Sequence, residues 1–97
     1  MTERELQAEL EAECDRLGLQ WHVCGDPRRC RGPRGWLDLV AAGERGMAFI
    51  ENKSADGDTS AAQDLWHWTI WKATGRQVHV FRPDDLALAR QLLESIR

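Results

Sequence analysis

The sequence lacks an apolar run long enough to cross a membrane, and no apolar segment follows a basic start at its N terminus. Both absences argue against a membrane protein and against export, so we expect a cytoplasmic protein. The chain has 97 residues, of which 42% are hydrophobic and 30% are charged. This length and composition predict one small globular domain that spans residues 1–97.

Cysteine is scarce, since only Cys14, Cys24 and Cys30 occur. An odd number of cysteines without an export signal favours reduced thiols. His22, Cys24 and Cys30 raise the alternative of a zinc site, but their spacing matches no standard finger or ribbon, and a fourth ligand is not obvious. We therefore interpret the cysteines as plain thiols.

The chain also lacks an excess of positive charge. It has 13 basic and 16 acidic residues, which give a net charge of −3. The overall charge thus gives no sign of a nucleic-acid partner. The segment CGDPRRCRGPRG is more informative, because it concentrates Arg28, Arg29, Arg31 and Arg34. A guanidinium offers phosphate oxygens a planar fork of donors. This loop is either a phosphate contact or a solvated surface loop.

Hydrophobic periodicity and turn residues predict an α/β domain with the order αβββαβα. A hairpin followed by a crossover helix and a further strand gives a mixed sheet flanked by helices. The predicted elements are helix 3–17, strands 19–24, 36–42 and 47–53, a helix from its Ser60 cap to Thr74, strand 77–81, and a final helix capped by Asp84.

Three ionisable residues interrupt the predicted hairpin, with Asp38 in its first strand and Glu51 and Lys53 at the end of its second. Because side chains alternate along a strand, Glu51 and Lys53 share one face and Asn52 occupies the other. Asp38 can approach Glu51 if the two strands splay at this end. Paired carboxylates suit a hard cation such as Mg²⁺. The alternative is an exposed strand end whose charges discourage aggregation.

Residues 35–86 resemble the VRR-NUC branch of the PD-(D/E)xK nuclease superfamily, which includes Holliday junction resolvase-like enzymes. The resemblance rests on an ordered set of short motifs. They are GWLD at 35–38, ENKS at 51–54, Gly57, SAAQ at 60–63 with Trp66, Gly75, and VHVFRPDDL at 78–86. The resemblance implies a restriction-endonuclease-like fold and a Mg²⁺-dependent DNA endonuclease, with Mn²⁺ as a substitute, that acts on branched DNA such as Holliday junctions. It also implies a bacterial or phage-infected host cytosol.

The resemblance assigns roles to individual residues. Asp38 and Glu51 would be metal ligands, and the backbone carbonyl of Asn52 would complete the set of metal ligands that the protein provides. Lys53 would be the catalytic lysine. Gln63 would lie near the metal at the start of the following helix. An acid of the first helix often joins such sites, and Glu5 is the first choice for it, with Glu9 as the second.

Two departures from the family pattern leave an alternative open. Leu37 stands where the family usually has proline, and Asn52 replaces an apolar residue. Neither removes a ligand, so we favour an active enzyme over a catalytically inactive nucleic-acid-binding module. Because so small a domain covers little duplex, we expect a homodimer that presents two sites to a two-fold-symmetric junction.

The aromatic and imidazole side chains have simpler interpretations. Trp66, Trp68 and Trp71 crowd the predicted helix that ends at Thr74. We expect most of them to pack in the core, with at least one available for a dimer interface. His22, His67 and His79 do not cluster in the sequence. We interpret all three as structural or surface residues rather than ligands.

Overall fold

The structure, a computed structural model, describes residues 1–24, 28 and 30–97. It contains three helices and a four-stranded sheet, and a short 3₁₀ turn at Pro83–Asp85 precedes the last helix. The elements are α1 (Glu3–Leu17), β1 (Gln20–His22), β2 (Leu39–Gly43), β3 (Gly46–Asn52), α2 (Ala61–Thr74), β4 (Val78–Phe81) and α3 (Leu86–Ile96). The predicted α/β class and the mixed sheet are confirmed.

Local sequence signals fix the ends of the first two helices. Ser60 and Gln63 form a capping box at the start of α2, in which each side chain bonds the backbone N–H of the other residue. Gly18 and Gly75 end α1 and α2 in the left-handed conformation, which glycine adopts without a steric penalty. These boundaries agree with the sequence pattern because capping is a property of neighbouring residues.

The sheet has the strand order β1-β2-β3-β4. Strands β1, β2 and β3 pair antiparallel, and β4 joins β3 in parallel after the crossover through α2. The β2–β3 ladder runs from Gly43 opposite Gly46 to Leu39 opposite Ile50. The open end of this hairpin therefore lies where Asp38 and Glu51 follow the last pair.

The two faces of the sheet are covered unequally. One face packs against α1 and α3, and its buried cluster includes Leu10, Leu39, Ile50 and Leu93. The other face packs against α2 through a smaller buried cluster of Leu37, Ile70 and Val78. We refer to them below as the α1/α3 face and the α2 face.

Three expectations about the fold are wrong. The second strand begins at Leu39 rather than at residue 36, because residues 36–38 leave the ladder to approach α2. Asp84 does not cap the last helix, because the 3₁₀ turn precedes α3 and Asp85 Oδ2 accepts a hydrogen bond from Arg82 N–H at 2.8 Å. The element order therefore gains one short turn over αβββαβα.

The tryptophans of α2 are mostly not in the core, contrary to expectation. Trp66 is half-buried, its ring meets that of Trp36 edge to face, and its Nε1–H donates to the Pro33 carbonyl. Trp68 and Trp71 are 58% and 53% exposed. The sheet can cover only one side of a helix, so the apolar residues on the far side of α2 stay in solvent.

The cysteines also differ from expectation, since Cys24 and Cys30 form a disulfide with their Cα atoms 6.2 Å apart. The count of cysteines does not reveal which of them lie within disulfide range of each other. Cys14 is a buried free thiol, as expected, and burial raises its pKa to about 11. Among the described residues, no helix has the length and apolar character that a membrane crossing requires.

Candidate active site

Asp38 and Glu51 lie side by side at the open end of the β2–β3 hairpin. The last ladder pair joins Leu39 to Ile50, so Asp38 and Glu51 are the next two residues outward. Asp38 Oδ2 accepts the backbone N–H of Asn52 at 2.7 Å, which fixes the carboxylate against the end of β3. The Glu51 carboxyl lies close enough to interact electrostatically with that of Asp38. The splayed strand ends therefore bring two carboxyl groups together.

Glu51 is unusually buried for a carboxylate, with only 1% of its side chain exposed. Burial, the hydrogen bond with Asp38 and the charge of Asp38 raise the pKa of Glu51 to about 9. The positive charge of Lys53 opposes that rise. At neutral pH, the Glu51 carboxyl therefore either keeps its proton or, when ionised, is stabilised by a bound cation.

Lys53 follows Glu51 on the same face of β3, and it is half-buried. Its backbone N–H donates to the Phe81 carbonyl at 2.9 Å, which extends the parallel pairing of β3 with β4 by one residue. The Arg82 guanidinium donates to the Gly57 carbonyl at 2.7 Å and so ties down the loop that follows. The lysine thus projects from a braced segment rather than from a free strand end.

His67 of α2 is the residue at this site that sequence reasoning missed. Its Nε2 lies 3.5 Å from Glu51 Oε1, and its side chain is 17% exposed. Burial lowers the pKa of His67, and so does the charge of Lys53, whereas Asp64 acts in the opposite direction. The available signal was helical spacing, because His67 follows Gln63 by four residues and shares its face of α2. His67 is therefore half-buried beside Glu51, which fits the structural rather than the surface interpretation of this histidine.

Unsatisfied polar atoms lie at the end of β3 and in the helix that faces it. Among the described residues, Glu51 Oε1, Asn52 Oδ1 and His67 Nε2 are buried side-chain atoms without a hydrogen-bond partner. Buried polar atoms are normally paired, so an unpaired set at one strand end favours a site that receives an ion or ligand. Glu51 Oε1 and His67 Nε2 lie on the α2 face, and Asn52 lies on the other.

Gln7 of α1 supports the site from the α1/α3 face. Its Oε1 accepts from Asn52 Nδ2 at 2.6 Å, and its Nε2 donates to Glu11 Oε2 at 2.9 Å and to the Asp38 carbonyl at 3.3 Å. The buried Nδ2 of Asn52 therefore has a hydrogen-bond partner, whereas its Oδ1 does not. Gln7 links α1 to both strands that carry the carboxylates.

The first-helix acid beside the site is Glu3 rather than Glu5 or Glu9. The charge of Glu3 acts on Glu51, and Glu3 lines an open groove of about 520 Å³ that also reaches Gln7 and Asp38. Glu5 lies about 200° around the helix from Glu3 and caps α1 by accepting from Thr2 N–H. Glu9 pairs with Arg90 of α3. The structure thus does not bring Glu5 to the carboxylate pair.

The remaining predicted residues lie around the site rather than in it. Gln63 caps α2 as predicted, with its Oε1 accepting from Ser60 N–H at 2.9 Å. Arg28, Arg31 and Arg34 are exposed, and Arg29 lies outside the described residues. Cys24, where the arginine-bearing loop begins, lines the groove beside Asp38. The loop therefore starts at the edge of the candidate site.

The carboxylate pair fits a divalent cation chemically. No three His, Cys, Asp or Glu side chains in the described part of the chain converge as a complete ligand group. Glu51 instead belongs to two pairs of neighbouring side chains, one with Asp38 and one with His67. Mg²⁺ usually retains several waters and takes only one or two protein carboxylates, so two acids with an unpaired buried oxygen are compatible with it.

Comparison of the chain with protein-family models, curated proteins and solved structures found no match. The function is therefore inferred from the residues of the site.

Proposed function

We propose that the protein is a metal-dependent DNA endonuclease that hydrolyses phosphodiester bonds, with a restriction-endonuclease-like fold of the VRR-NUC type. The observation that carries the proposal is the buried Glu51 carboxyl, held against Asp38 with one oxygen unpaired and Lys53 beside it. Such a group is costly to bury unless the site uses it.

The residues have distinct parts in this reaction. Asp38, Glu51 and the Asn52 backbone carbonyl would hold Mg²⁺ or Mn²⁺, and the bound ion would supply polarisation of a phosphate oxygen and a lower pKa for a water. Lys53 orients the attacking water and stabilises the negative charge that develops on the phosphate. Gln7 positions the strand ends through Asn52 and the Asp38 carbonyl. The exposed arginines Arg28, Arg31 and Arg34 contact DNA phosphates beside the groove.

Cleavage of labelled DNA tests this function. Four-way junction, flap, duplex and single-stranded DNA are incubated with the protein and Mg²⁺, Mn²⁺ or EDTA. We expect metal-dependent cleavage, greatest on branched DNA, that falls at least about 100-fold in Lys53→Ala and in Glu51→Gln. Arg45→Ala is the control, because Arg45 is an exposed basic residue in the turn at the opposite end of the β2–β3 hairpin from Lys53.

Three outcomes decide between this function and its rival. Full activity in Asp38→Asn or Glu51→Gln overturns the site assignment. Salt-sensitive DNA binding without cleavage under any metal supports a catalytically inactive nucleic-acid-binding module. Absence of both DNA binding and metal binding excludes both functions.

A homodimer is part of the proposal, and the outer surface of α2 is its interface. Leu65, Trp68 and Trp71 are exposed there, and Lys72 Nζ lies 5.9 Å from the centre of the Trp68 ring. Tryptophan is enriched in protein interfaces, and a two-fold axis would present two sites to a two-fold-symmetric junction. Light scattering after gel filtration should report a dimer that becomes a monomer in Trp68→Glu. A monomeric wild-type protein contradicts the proposal.

A further inference from the structure

His67 and Glu51 form a buried pair that hydrogen bonding within the chain does not explain. Their facing atoms, Nε2 and Oε1, are 3.5 Å apart, longer than the usual range for a hydrogen bond. Each is unpartnered among the described residues. An imidazole nitrogen and a carboxylate oxygen that lie this close together, both buried and unpartnered, are a common beginning of a metal shell.

We propose that His67 is a nitrogen ligand of the metal that Glu51 binds, and that the site therefore prefers Mn²⁺ and other imidazole-binding metals to Mg²⁺. This inference rests on the metal site of the proposed function and goes beyond its oxygen-only ligand set. Carboxylate, carbonyl and water suit Mg²⁺, whereas imidazole favours transition metals.

The separation of the two atoms agrees with a shared ion. Two atoms that each lie about 2.1 Å from one metal are at most about 4.2 Å apart, and 3.5 Å falls below that limit. The firm anchoring of α2 also agrees with a role for His67 as a metal ligand. The capping box at Ser60 and Gln63 fixes the start of α2, and Ile70 packs that helix onto the sheet, so His67 is held between two anchored points.

Pulsed electron paramagnetic resonance of bound Mn²⁺ tests the ligand directly. Wild-type protein labelled with nitrogen-15 histidine is loaded with one equivalent of Mn²⁺ without DNA. We expect a nitrogen-15 coupling to the metal, which disappears in His67→Gln and persists in His79→Gln. His79 is the matched control, since it is half-buried, stacks on Phe81 and belongs to the opposite face of the sheet.

Titration calorimetry supplies a second measurement. His67→Gln should weaken Mn²⁺ binding by about tenfold or more, because even loss of an outer-shell partner has that effect, and should change Mg²⁺ binding much less. Circular dichroism and thermal melts confirm that both variants fold.

The results separate this inference from the proposed function. Bound Mn²⁺ without histidine coupling in the wild-type protein overturns the role of His67 even if DNA is cleaved. Coupling that survives in His67→Gln also overturns it. Histidine coupling without cleavage of any DNA supports the ligand and contradicts the nuclease. Failure of the wild-type protein to bind Mn²⁺ overturns both proposals.

Discussion

The two faces of the sheet differ in how completely they are buried. The α1/α3 face is closed by two helices whose side chains meet those of the strands, and Leu6, Leu10, Leu39, Ile50 and Leu93 are fully buried there. The α2 face has one helix, a small buried cluster and exposed tryptophans. The ionisable pair Glu51–His67 lies under this thinner cover. The difference indicates that one face stabilises the fold, while the other tolerates an energetically costly polar site.

The comparison predicts unequal costs for truncating core residues. Leu39→Ala on the α1/α3 face should lower the free energy of unfolding by about 2–5 kcal/mol, because it opens a cavity in a closed core. Ile70→Ala on the α2 face should cost about half as much or less, since its buried cluster is smaller and lies closer to solvent. Urea unfolding followed by circular dichroism measures both. Equal costs would contradict the assignment of stability to one face.

The buried carboxyl predicts a stability that depends on pH. In the metal-free protein Glu51 keeps its proton up to about pH 9, whereas in the unfolded chain it loses that proton near its ordinary value of 4.5. The folded state therefore binds more protons between these values, and its stability falls as the pH rises. Glu51→Gln should remove this dependence and raise the free energy of unfolding at pH 9 by roughly 1–3 kcal/mol.

Urea unfolding in EDTA between about pH 7 and pH 9 measures this effect above the range in which the half-buried histidines titrate. Glu9→Gln is the control, because Glu9 pairs with Arg90 at the exposed surface. Parallel pH profiles for Glu51→Gln and the wild-type protein would show that the carboxyl is not destabilising.

A glycine pair tests how α2 is seated. Gly35 has φ +92° and lies against the backbone of Ala62 and Gln63, so an added Cβ would collide with the start of α2. Gly32 in the same loop has φ +115°, but an added Cβ would meet no atom within 4 Å. Gly35→Ala should therefore cost about 1–3 kcal/mol more than Gly32→Ala, and it should also weaken Mn²⁺ binding. Equal effects on stability would mean that the close approach is unimportant.

The smallest expected effect separates the acids of α1. Glu3→Gln should weaken metal binding slightly, because the charge of Glu3 acts on Glu51. Glu5→Gln should leave metal binding unchanged, since the Glu5 carboxylate caps α1 at Thr2. Mn²⁺ calorimetry on both variants measures the difference. A larger effect of Glu5→Gln would restore that residue as the acid of the site.

Prediction from sequence succeeded where the determining contacts are local. Helix α1 has the predicted bounds Glu3–Leu17, and the capping box of α2 and the two glycine stops occur where expected. The approach of Asp38 to Glu51 was also predictable, because a hairpin register depends on its turn and on alternation of side chains. Both residues belong to adjacent segments that the Gly43–Gly46 turn brings together.

Prediction failed where distant segments meet. Gln7 is 45 residues from Asn52, and their hydrogen bond depends on how α1 crosses the sheet. His67 meets Glu51 only because α2 lies on one face of the sheet. The exposure of Trp68 and Trp71 likewise depends on the absence of a second helix over α2 among the described residues.

The sequence by itself determined the helices, the strand alternation, the turn that aligns β2 with β3, and hence the carboxylate pair at its open end. Only the tertiary structure decided which face each helix covers, that Glu3 and Gln7 rather than Glu5 approach the strand ends, and that His67 faces Glu51. The physical reason is range, since caps, turns and alternation arise from neighbouring residues. The packing of a helix on a sheet is set by the burial of surfaces far apart in the chain.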